Sequence, residues 1–407
     1  MGSYVPDLPK LHIETPCLPS RELSQIAGCN IYLKLENLQP SGSFKSRGMG
    51  ALMSRALLSS STGRAHFYCS SGGNAGLACA EAARTLGQPC DVYLSAPTPD
   101  HVLAKLAALG ATPHRGGKDW PAADAYCRAA VAGDAEGVYV PPFDHPDVWD
   151  GNATLVDELA ALEGKGFFGR GVDGVGDGDR GTGVIDAIVC NVGGGGLLNG
   201  VMEGIERNYG SHSHSSSPSS SRHSVPNGST RHSSRPAVLA LETAGADSLS
   251  ASVRAGSHVT IPAITSIAMT LGAPRVSERT YRWAEACGAT SFTFPAAPSS
   301  AFEKTKQKPA GPADDDNNTP RTRLVSAVVS DADAVSACAR FLDDARLLVE
   351  VACGATLSGV YNGILRAALA PDADDGRWAA TNVVLVVCGG SCISTDMLAR
   401  YREEFGV

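Results

Sequence analysis

The stretch Pro40-Ser41-Gly42-Ser43-Phe44-Lys45-Ser46-Arg47-Gly48 places one lysine between two different structural patterns. The run before it, 31–36, is strand-like, and the run after it, 49–58, is helical. Desolvation at such a turn disfavours the ammonium form, so Lys45 can lose its proton and form an imine with an aldehyde cofactor. An ordinary surface lysine in a turn has the same local sequence, and other segments must distinguish the two interpretations.

Two further segments each carry glycines between a strand and a helix. Residues 69–78 contain Ser71-Gly72-Gly73-Asn74 at a helix start, where free backbone N–H groups can hold a carboxylate or a phosphate. The run Gly193-Gly194-Gly195-Gly196 follows an apolar strand, 184–190, and lets the backbone approach an anion closely. No Walker lysine follows and the GxGxxG spacing is absent, so the pattern favours a small phosphorylated cofactor over a nucleotide.

A fourth segment, 382–394, has the pattern of a buried strand that ends in a Gly-Gly turn. Cys388 stands where the strand meets the turn. A neutral thiol at this point can contact a heteroaromatic nitrogen. The alternative is a buried core cysteine, which is the commoner role for this residue type.

Together, and in this order, the four segments resemble those of the pyridoxal-phosphate enzymes of the tryptophan-synthase β type (fold type II), and most of all the L-serine/L-threonine dehydratases. The resemblance is carried by S-F-K-x-R-G at 43–48, S-G-G-N at 71–74, G-G-G-G at 193–196 and C-G-G-S at 388–391. Further matching stretches lie at 141–144, 241–248, 265–268 and 349–355. The resemblance covers nearly the whole chain apart from three insertions.

The resemblance implies a role for each of these positions. Lys45 would carry pyridoxal 5′-phosphate and then remove the α-proton of an amino acid, with Phe44 packed against the ring. The other cofactor contacts would be Asn74 at the ring hydroxyl, Gly193, Gly194, Gly195, Gly196 and Leu197 at the phosphate, and Cys388 with Gly389 at the pyridine nitrogen. The substrate carboxylate would be held by Ser71, Gly72, Gly73 and Asn74.

A monovalent cation site is also implied by the resemblance, and its ligands would be mostly carbonyl oxygens, which suit potassium. The matching positions are Gly193, Glu242, Ala246, Ser248, Leu271 and Ala273. Otherwise Glu242 would be a strand-end carboxylate in solvent.

The implied reaction is β-elimination of water from L-serine, and from L-threonine, to give pyruvate or 2-oxobutanoate and ammonia. A neutral thiol at the pyridine nitrogen makes a weaker electron sink than a carboxylate partner would, which favours prompt loss of a β-leaving group. Related racemases place a serine base at the position of Gly72, so we expect racemisation to be minor.

Three other activities compete with this interpretation. Phe44 and the segment 70–74 argue against a cysteine-synthase type β-replacement, and Gly72 argues against a serine racemase. A catalytically silent protein of the same fold would be expected to have lost Lys45. Two departures from the family pattern, Thr270 where relatives often have alanine and Cys392 where many have asparagine, leave the exact substrate open.

Composition indicates a globular α/β protein. The chain has 407 residues, 43% of them hydrophobic, and its net charge of −8 gives no reason to expect nucleic acid or an anionic membrane as partner. Strand-like runs at 66–71, 90–95, 138–141, 184–192, 237–242 and 382–388 alternate with helical runs at 76–86, 100–109, 120–132, 198–209 and 395–405. This alternation predicts mainly parallel twisted sheets flanked by helices.

The resemblance implies a small domain, 50–149, inserted into a larger one, 1–49 and 150–407, with the cofactor in the cleft between them. It also implies a homodimer. The twelve scattered cysteines and the absence of a secretory signal favour a cytoplasmic protein. The chain ends soon after the Cys388 turn, without a C-terminal regulatory domain, so we expect a degradative enzyme.

Three segments, 164–183, 210–235 and 295–323, have the composition of surface insertions because they carry few large apolar residues. Four histidines in the second insertion are candidate metal ligands: His212, His214, His223 and His232. Their irregular spacing in a Ser-rich tract favours a disordered loop. We therefore expect all three insertions to lie outside the active site.

Overall fold

The computed structural model describes residues 8–96, 98–170, 183–210, 235–293 and 322–407. The three predicted insertions lie for most of their length outside the described residues, as do the four candidate histidine ligands. Among the described residues, no helix combines the length and the apolar composition that crossing a membrane requires.

The described strands follow one another as β1 (Cys17–Pro19), β2 (Asn30–Lys34), β3 (His66–Cys69), β4 (Cys90–Leu94), β5 (Thr112–Arg115), β6 (Gly137–Tyr139), β7 (Ala187–Asn191), β8 (Ala237–Thr243), β9 (Thr290–Thr293), β10 (Leu324–Val329) and β11 (Asn382–Val386).

The described helices are α1 (Arg21–Ala27), α2 (Lys45–Ser59), α3 (Asn74–Leu86), α4 (Asp100–Ala108), α5 (Trp120–Ala132), α6 (Pro146–Gly164), α7 (Gly196–Tyr209), α8 (Ser248–Ala255), α9 (Glu278–Ala286), α10 (Asp331–Ala345), α11 (Val351–Tyr361), α12 (Ile364–Leu369), α13 (Asp375–Ala379) and α14 (Thr395–Phe405). Short 3-10 helices are formed by Glu36–Leu38, Phe167–Arg170 and Met269–Leu271.

The larger sheet has seven described strands in the order β1-β2-β11-β7-β8-β10-β9. All neighbouring pairs are parallel except β1 and β2. The central strands β11, β7 and β8 are almost entirely apolar and buried, as expected for parallel strands covered by helices on both faces.

The smaller sheet has four described strands, all parallel, in the order β5-β4-β3-β6. It has a hydrophobic core of its own, separate from the core around the larger sheet. The predicted α/β class with two mainly parallel sheets is therefore confirmed. All four strands fall within the predicted small domain, 50–149, although its boundaries stay a prediction.

The strands and helices predicted from the sequence are confirmed, with small shifts at their ends; β7, for example, begins at Ala187 rather than Val184. Helix ends follow local signals. Ser20 caps α1 and Gly28, in the left-handed region, ends it. Ser330 and Asp333 form a capping box at the start of α10.

The topology brings the four sequence segments to one place. The segments 70–74, 192–196 and 387–390 each follow the carboxyl end of a parallel strand: β3, β7 and β11 respectively. Loops at the carboxyl ends of parallel strands are the usual ligand sites of α/β folds. The lysine turn joins them because Phe44 N donates to Cys388 O, over 3.2 Å.

Candidate active site

One cavity is lined by every residue that the sequence predicts for the cofactor: Phe44, Lys45, Asn74, Gly193, Gly194, Gly195, Gly196, Leu197, Cys388 and Gly389. Sequence reasoning missed the lining residues Phe143, Asn191, Glu350 and Ala352. It placed Leu271 only at the cation site and treated Thr270 only as a departure from the family pattern. Of the predicted substrate-binding residues, only Asn74 lies in the lining. Ser71, Gly72 and Gly73 form the loop just before it.

Lys45 is the first residue of α2 and its amine lies inside this cavity. Nζ donates to Pro142 O over 2.5 Å and lies 5.1 Å from the centroid of the Phe44 ring. Burial lowers the pKa of the Lys45 amine to about 8. A minor but much larger fraction of Lys45 than of an ordinary lysine is therefore uncharged near neutral pH, as a nucleophilic amine must be.

This lowered pKa predicts a pH dependence of stability. Between pH about 8 and about 10.5 the unfolded chain binds more protons at Lys45 than the folded chain does. The free energy of unfolding of the cofactor-free protein should therefore rise across this window. Urea unfolding at several pH values checks it, with Lys45→Met as the reference. If the difference in unfolding free energy between the wild type and Lys45→Met stayed constant across this pH window, the lowered pKa would be contradicted.

The glycine run 193–196 leads directly into α7, and no side chain caps that helix. Gly195, with φ at +96°, adopts a conformation that residues with a side chain rarely reach. A buried group of three polar side chains supports the run, since Asn199 Nδ2 donates to Ser277 Oγ and Thr280 Oγ1 donates to Asn199 Oδ1. Ser277 N also donates to Gly194 O over 2.9 Å. The arrangement leaves the first backbone N–H groups of α7 available to an anion in the cavity.

Replacing Gly195 with alanine should therefore weaken the binding of a phosphorylated cofactor strongly. An ideal Cβ at this position would lie 1.8 Å from Thr280 Oγ1, and the positive φ adds strain. We expect cofactor affinity to fall by at least about tenfold, measured by titration of the absorbance band of the bound cofactor. Gly256→Ala is the matched control, because Gly256 also has a positive φ but no atoms near its Cβ. Equal effects of the two substitutions would argue against a role of the Gly195 loop in binding.

Cys388 is buried two residues after the end of β11, and its thiol is neutral. The hydrogen bond with the Cys353 thiol, and then burial, raise the pKa of Cys388 well above its ordinary value. Asn191 Nδ2 lies 3.1 Å from Cys388 Sγ and donates to Ala352 O over 2.6 Å. This amide holds the end of β7 against the Cys388 turn, so the thiol has a fixed position in the lining.

Asn74 and Glu350 connect opposite sides of the cavity. Asn74 Nδ2 donates to Glu350 Oε1 and Oε2, at 3.1 and 3.0 Å, while Asn74 Oδ1 accepts from Ser391 N at 3.0 Å. Glu350 lies in the matched stretch 349–355. Sequence reasoning gives it no role, because an acidic residue before a helix is also typical of ordinary helix starts.

Hydrogen bonds at Ser70 fix the backbone just before the loop 71–73. Ser70 Oγ donates to Asp124, and Trp120 Nε1 donates to Ser70 O over 2.6 Å. An ideal Cβ at Gly72 would lie 3.2 Å from Thr98 Cγ2, so a larger residue here would press against that side chain. Glycine thus suits the packing of the turn, and it offers no proton-carrying group.

The residues predicted for a cation lie around the ends of β7 and β8. The backbone of Gly193 lies against Leu271, whose carbonyl also accepts from Ala273 N over 2.7 Å. Glu242 is fully buried, so its alternative reading as a solvent-exposed carboxylate is wrong. Its carboxylate accepts from Leu249 N and Ser250 N at the start of α8, and burial raises its pKa to about 8.

Two further predicted cation residues lie between β8 and α8. Ala246 is buried in the turn, where its N–H donates to Thr243 O. Ser248 Oγ is buried and has no hydrogen-bond partner among the described residues. An unpaired buried oxygen is costly, and a bound cation would satisfy it.

The chain is similar to known proteins over most of its length. The family model described as "Pyridoxal-phosphate dependent enzyme" matches residues 8–297. The serine dehydratase-like protein of Mus musculus is 36% identical over 397 residues, covering 97% of this chain and 95% of that protein. The L-serine dehydratase/L-threonine deaminase of Homo sapiens is 34% identical over 400 residues, covering 98% and 96%. A crystal structure of a fungal L-serine ammonia-lyase from Rhizomucor miehei has a TM-score of 0.72 and 29% identity, covering 97% of this chain and 99% of that one.

Proposed function

Because the chain belongs to the family of pyridoxal-phosphate-dependent enzymes, we propose that it is an L-serine ammonia-lyase that also accepts L-threonine. L-Serine would give pyruvate and ammonia, and L-threonine would give 2-oxobutanoate and ammonia. The observation that carries the proposal is the convergence of the Lys45 amine, the uncapped start of α7 and the Cys388 thiol on one cavity. The names of the relatives support the same reaction.

The residues present fit pyridoxal phosphate. Available backbone N–H groups at the start of α7 suit a phosphate, and an amine with a lowered pKa suits an aldehyde. We assign the phosphate to the segment 193–197, the aldehyde to Lys45, the ring face to Phe44, the ring hydroxyl to Asn74 and the ring nitrogen to Cys388 with Gly389. When bound, the cofactor supplies an electron sink for the α-carbanion of an amino acid.

The chain's own residues then orient the substrate and move its protons. The loop 71–74 holds the substrate carboxylate with N–H groups at the start of α3. Lys45, whose lowered pKa leaves part of its amine uncharged near neutral pH, takes the α-proton. The neutral Cys388 thiol would not keep the ring nitrogen of a bound cofactor protonated, which would favour loss of the β-hydroxyl as water, with the proton that Lys45 has taken, over return of that proton to the α-carbon. Gly72 provides no base for the return of a proton to the opposite face, which is consistent with elimination rather than racemisation.

We also propose that potassium binds beside this site, at Gly193, Glu242, Ala246, Ser248, Leu271 and Ala273. Two buried oxygen-bearing side chains support an oxygen-rich site for a hard monovalent cation: the Ser248 hydroxyl, which has no hydrogen-bond partner among the described residues, and the Glu242 carboxyl group. Activity in potassium should then exceed activity in lithium, and Ser248→Ala should reduce the difference. Equal activity in both ions would contradict the proposal.

The assembly and the location are proposals of the same kind. The family resemblance supports a homodimer, which sedimentation of the cofactor-loaded protein would test. Ten of the twelve cysteines are buried, as the reduced core thiols of a cytoplasmic protein would be. Two domains, 50–149 and the rest of the chain, would enclose the cavity between the two sheets.

The experiment that tests the function is an assay for 2-oxo acids. The purified protein with pyridoxal phosphate and potassium is given L-serine, L-threonine and D-serine in parallel, and the serine product is examined for the D-enantiomer. We expect pyruvate from L-serine, 2-oxobutanoate from L-threonine and little D-serine. No oxo acid from either L-amino acid, despite bound cofactor, would contradict the assignment and point to another β-substituted amino acid or to β-replacement.

A further inference from the structure

The Glu350 carboxylate is an acceptor shared by three separate parts of the chain. Glu350 is 5% exposed and precedes α11. It accepts from Asn74 Nδ2 at the start of α3, from Thr270 Oγ1 over 2.8 Å and from Cys392 N over 2.7 Å. These donors come from the smaller-sheet region, from the 3-10 helix Met269–Leu271 and from the segment after β11. A buried carboxylate with several donors is held in one position.

Both departures from the family pattern lie at this carboxylate. Thr270 stands where relatives often have alanine, and only a hydroxyl at that position can donate to Glu350. Cys392 stands where many relatives have asparagine, and its backbone N–H reaches the same carboxylate. Thr270 also lines the cavity, and it lies close to the substrate loop, 3.5 Å from an ideal Cβ at Gly73. The Thr270 hydroxyl, the Cys392 backbone N–H and the Asn74 amide therefore meet at one carboxylate that lines the cofactor cavity.

The cluster fixes which way the Asn74 amide faces. A carboxylate accepts hydrogen bonds and cannot donate them, so it attracts the Nδ2 end of Asn74 and repels the Oδ1 end. Ser391 N, on the other side, donates to Oδ1. With one N–H directed to Glu350, the amide keeps its second N–H for a ligand in the cavity.

We propose that Thr270 and Glu350 are positioning residues that hold Asn74 as a hydrogen-bond donor to the ring hydroxyl oxygen of the cofactor. The proposal rests on the function proposed above, because it requires pyridoxal phosphate in this cavity. Without the carboxylate, Asn74 can turn and direct its carbonyl oxygen to the ring oxygen, so that two acceptors face each other. Thr270 acts one step further away, since its hydroxyl keeps Glu350 in place.

The test uses Thr270→Ala, Thr270→Ser and Glu350→Gln, with Thr15→Ala as the matched control. Thr15 also donates a buried hydrogen bond to a glutamate, Glu36, but does not line the cavity. The first readout is the absorbance band of bound pyridoxal phosphate, its position and its titration, in the absence of amino acid. The second readout is the pair of kinetic constants for L-serine, with kcat and KM determined separately. The third is the urea midpoint of unfolding.

We expect Thr270→Ala to weaken cofactor affinity about fivefold and to shift the band, while Thr270→Ser stays near the wild type. Glu350→Gln should weaken affinity by about tenfold or more, because a neutral amide can present either a donor or an acceptor to Asn74. Both should lower kcat more than they raise KM. Thr15→Ala should change the urea midpoint only.

Three results would overturn the proposal. One is an unchanged band and affinity in Thr270→Ala and Glu350→Gln. Another is a loss in Thr270→Ser as large as in Thr270→Ala, which would assign the effect to packing of the methyl group. The third is a wild-type protein that forms no band with pyridoxal phosphate, which would refute the proposed function itself. If the wild type shows a normal band and is active on L-serine while the variants are unaffected, the positioning role is refuted and the proposed function is not.

Discussion

Lys45→Ala is expected to abolish 2-oxo acid formation from L-serine and to remove the absorbance band of bound cofactor. Lys45 is the one amine that lines the cavity among the described residues, and burial there lowers its pKa to about 8. Loss of a residue that serves as both nucleophile and base costs on the order of 10⁴-fold in kcat or more. The measurement is the initial rate of pyruvate formation together with the spectrum of the protein after gel filtration with pyridoxal phosphate.

The control for this substitution is Lys165→Ala, since Lys165 is exposed just after α6 and does not line the cavity. It should leave both the rate and the spectrum unchanged. Lys45→Ala should also keep the urea midpoint of the cofactor-free protein at or above the wild-type value near pH 7, because it removes a buried amine. Activity of Lys45→Ala within about tenfold of the wild type would refute the assignment of Lys45 as the base.

Arg47→Met is expected to destabilise the fold by about 3–5 kcal/mol. The Arg47 side chain is fully buried, and its guanidinium pairs with Glu36 through Nε and Nη2, at 2.7 and 2.8 Å. It also donates to both oxygens of Glu158, at 2.6 and 2.8 Å. Methionine fills a similar volume but leaves the Glu36 carboxylate buried with its strongest partner removed. The measurement is the shift of the urea midpoint multiplied by the m-value, on cofactor-free protein.

Arg55→Met is the matched control. Arg55 lies on the same helix, α2, and also contacts two carboxylates, Asp147 and Asp150, but its side chain is 46% exposed. Water screens such a pair, so its loss should cost only about 0–1 kcal/mol. A similar cost for the two substitutions would mean that the buried cluster around Arg47 contributes no more than a surface ion pair.

Acid should weaken the same cluster. Burial raises the pKa of Glu158, but hydrogen bonds and charge from Arg47 and Lys34 outweigh it and hold the pKa below its usual range. A carboxylate with a lowered pKa contributes stability above its unfolded value, and this contribution is lost as the pH falls. The cluster is therefore strongest at neutral pH, where the lysine turn must be held in place.

The sequence predicted much of the site because the relevant signals are local. A lysine at a helix start, four glycines after an apolar strand and a thiol at a strand end each have a chemical meaning within a few residues. The alternation of strands and helices adds the rule that parallel strands end at one edge of the sheet, where loops meet. These patterns gave Lys45, the segment 193–197 and Cys388 before any contact was known.

Other features could not be predicted because they depend on contacts between distant residues. Glu350 meets Asn74 across 276 positions of the chain, and a glutamate before a helix has the same local appearance without that partner. Glu242 stands near the end of a strand and could equally have been exposed; it is buried and accepts from Leu249 N and Ser250 N at the start of α8. The role of Arg47 in the motif at 43–48 likewise appears only when Glu36 and Glu158 lie on either side of it.

By itself, then, the sequence determined the α/β class, the order of the main strands and helices, and the chemistry carried by Lys45, the segment 193–197 and Cys388. Backbone propensity and functional groups are properties of short segments. Only the tertiary structure decided which charges are buried, which donors face which acceptors and how the Asn74 amide is turned. The physical reason is that burial and hydrogen-bond direction depend on the positions of atoms brought together by the two sheets, and the free energy of a charge changes by several kcal/mol between water and such an interior.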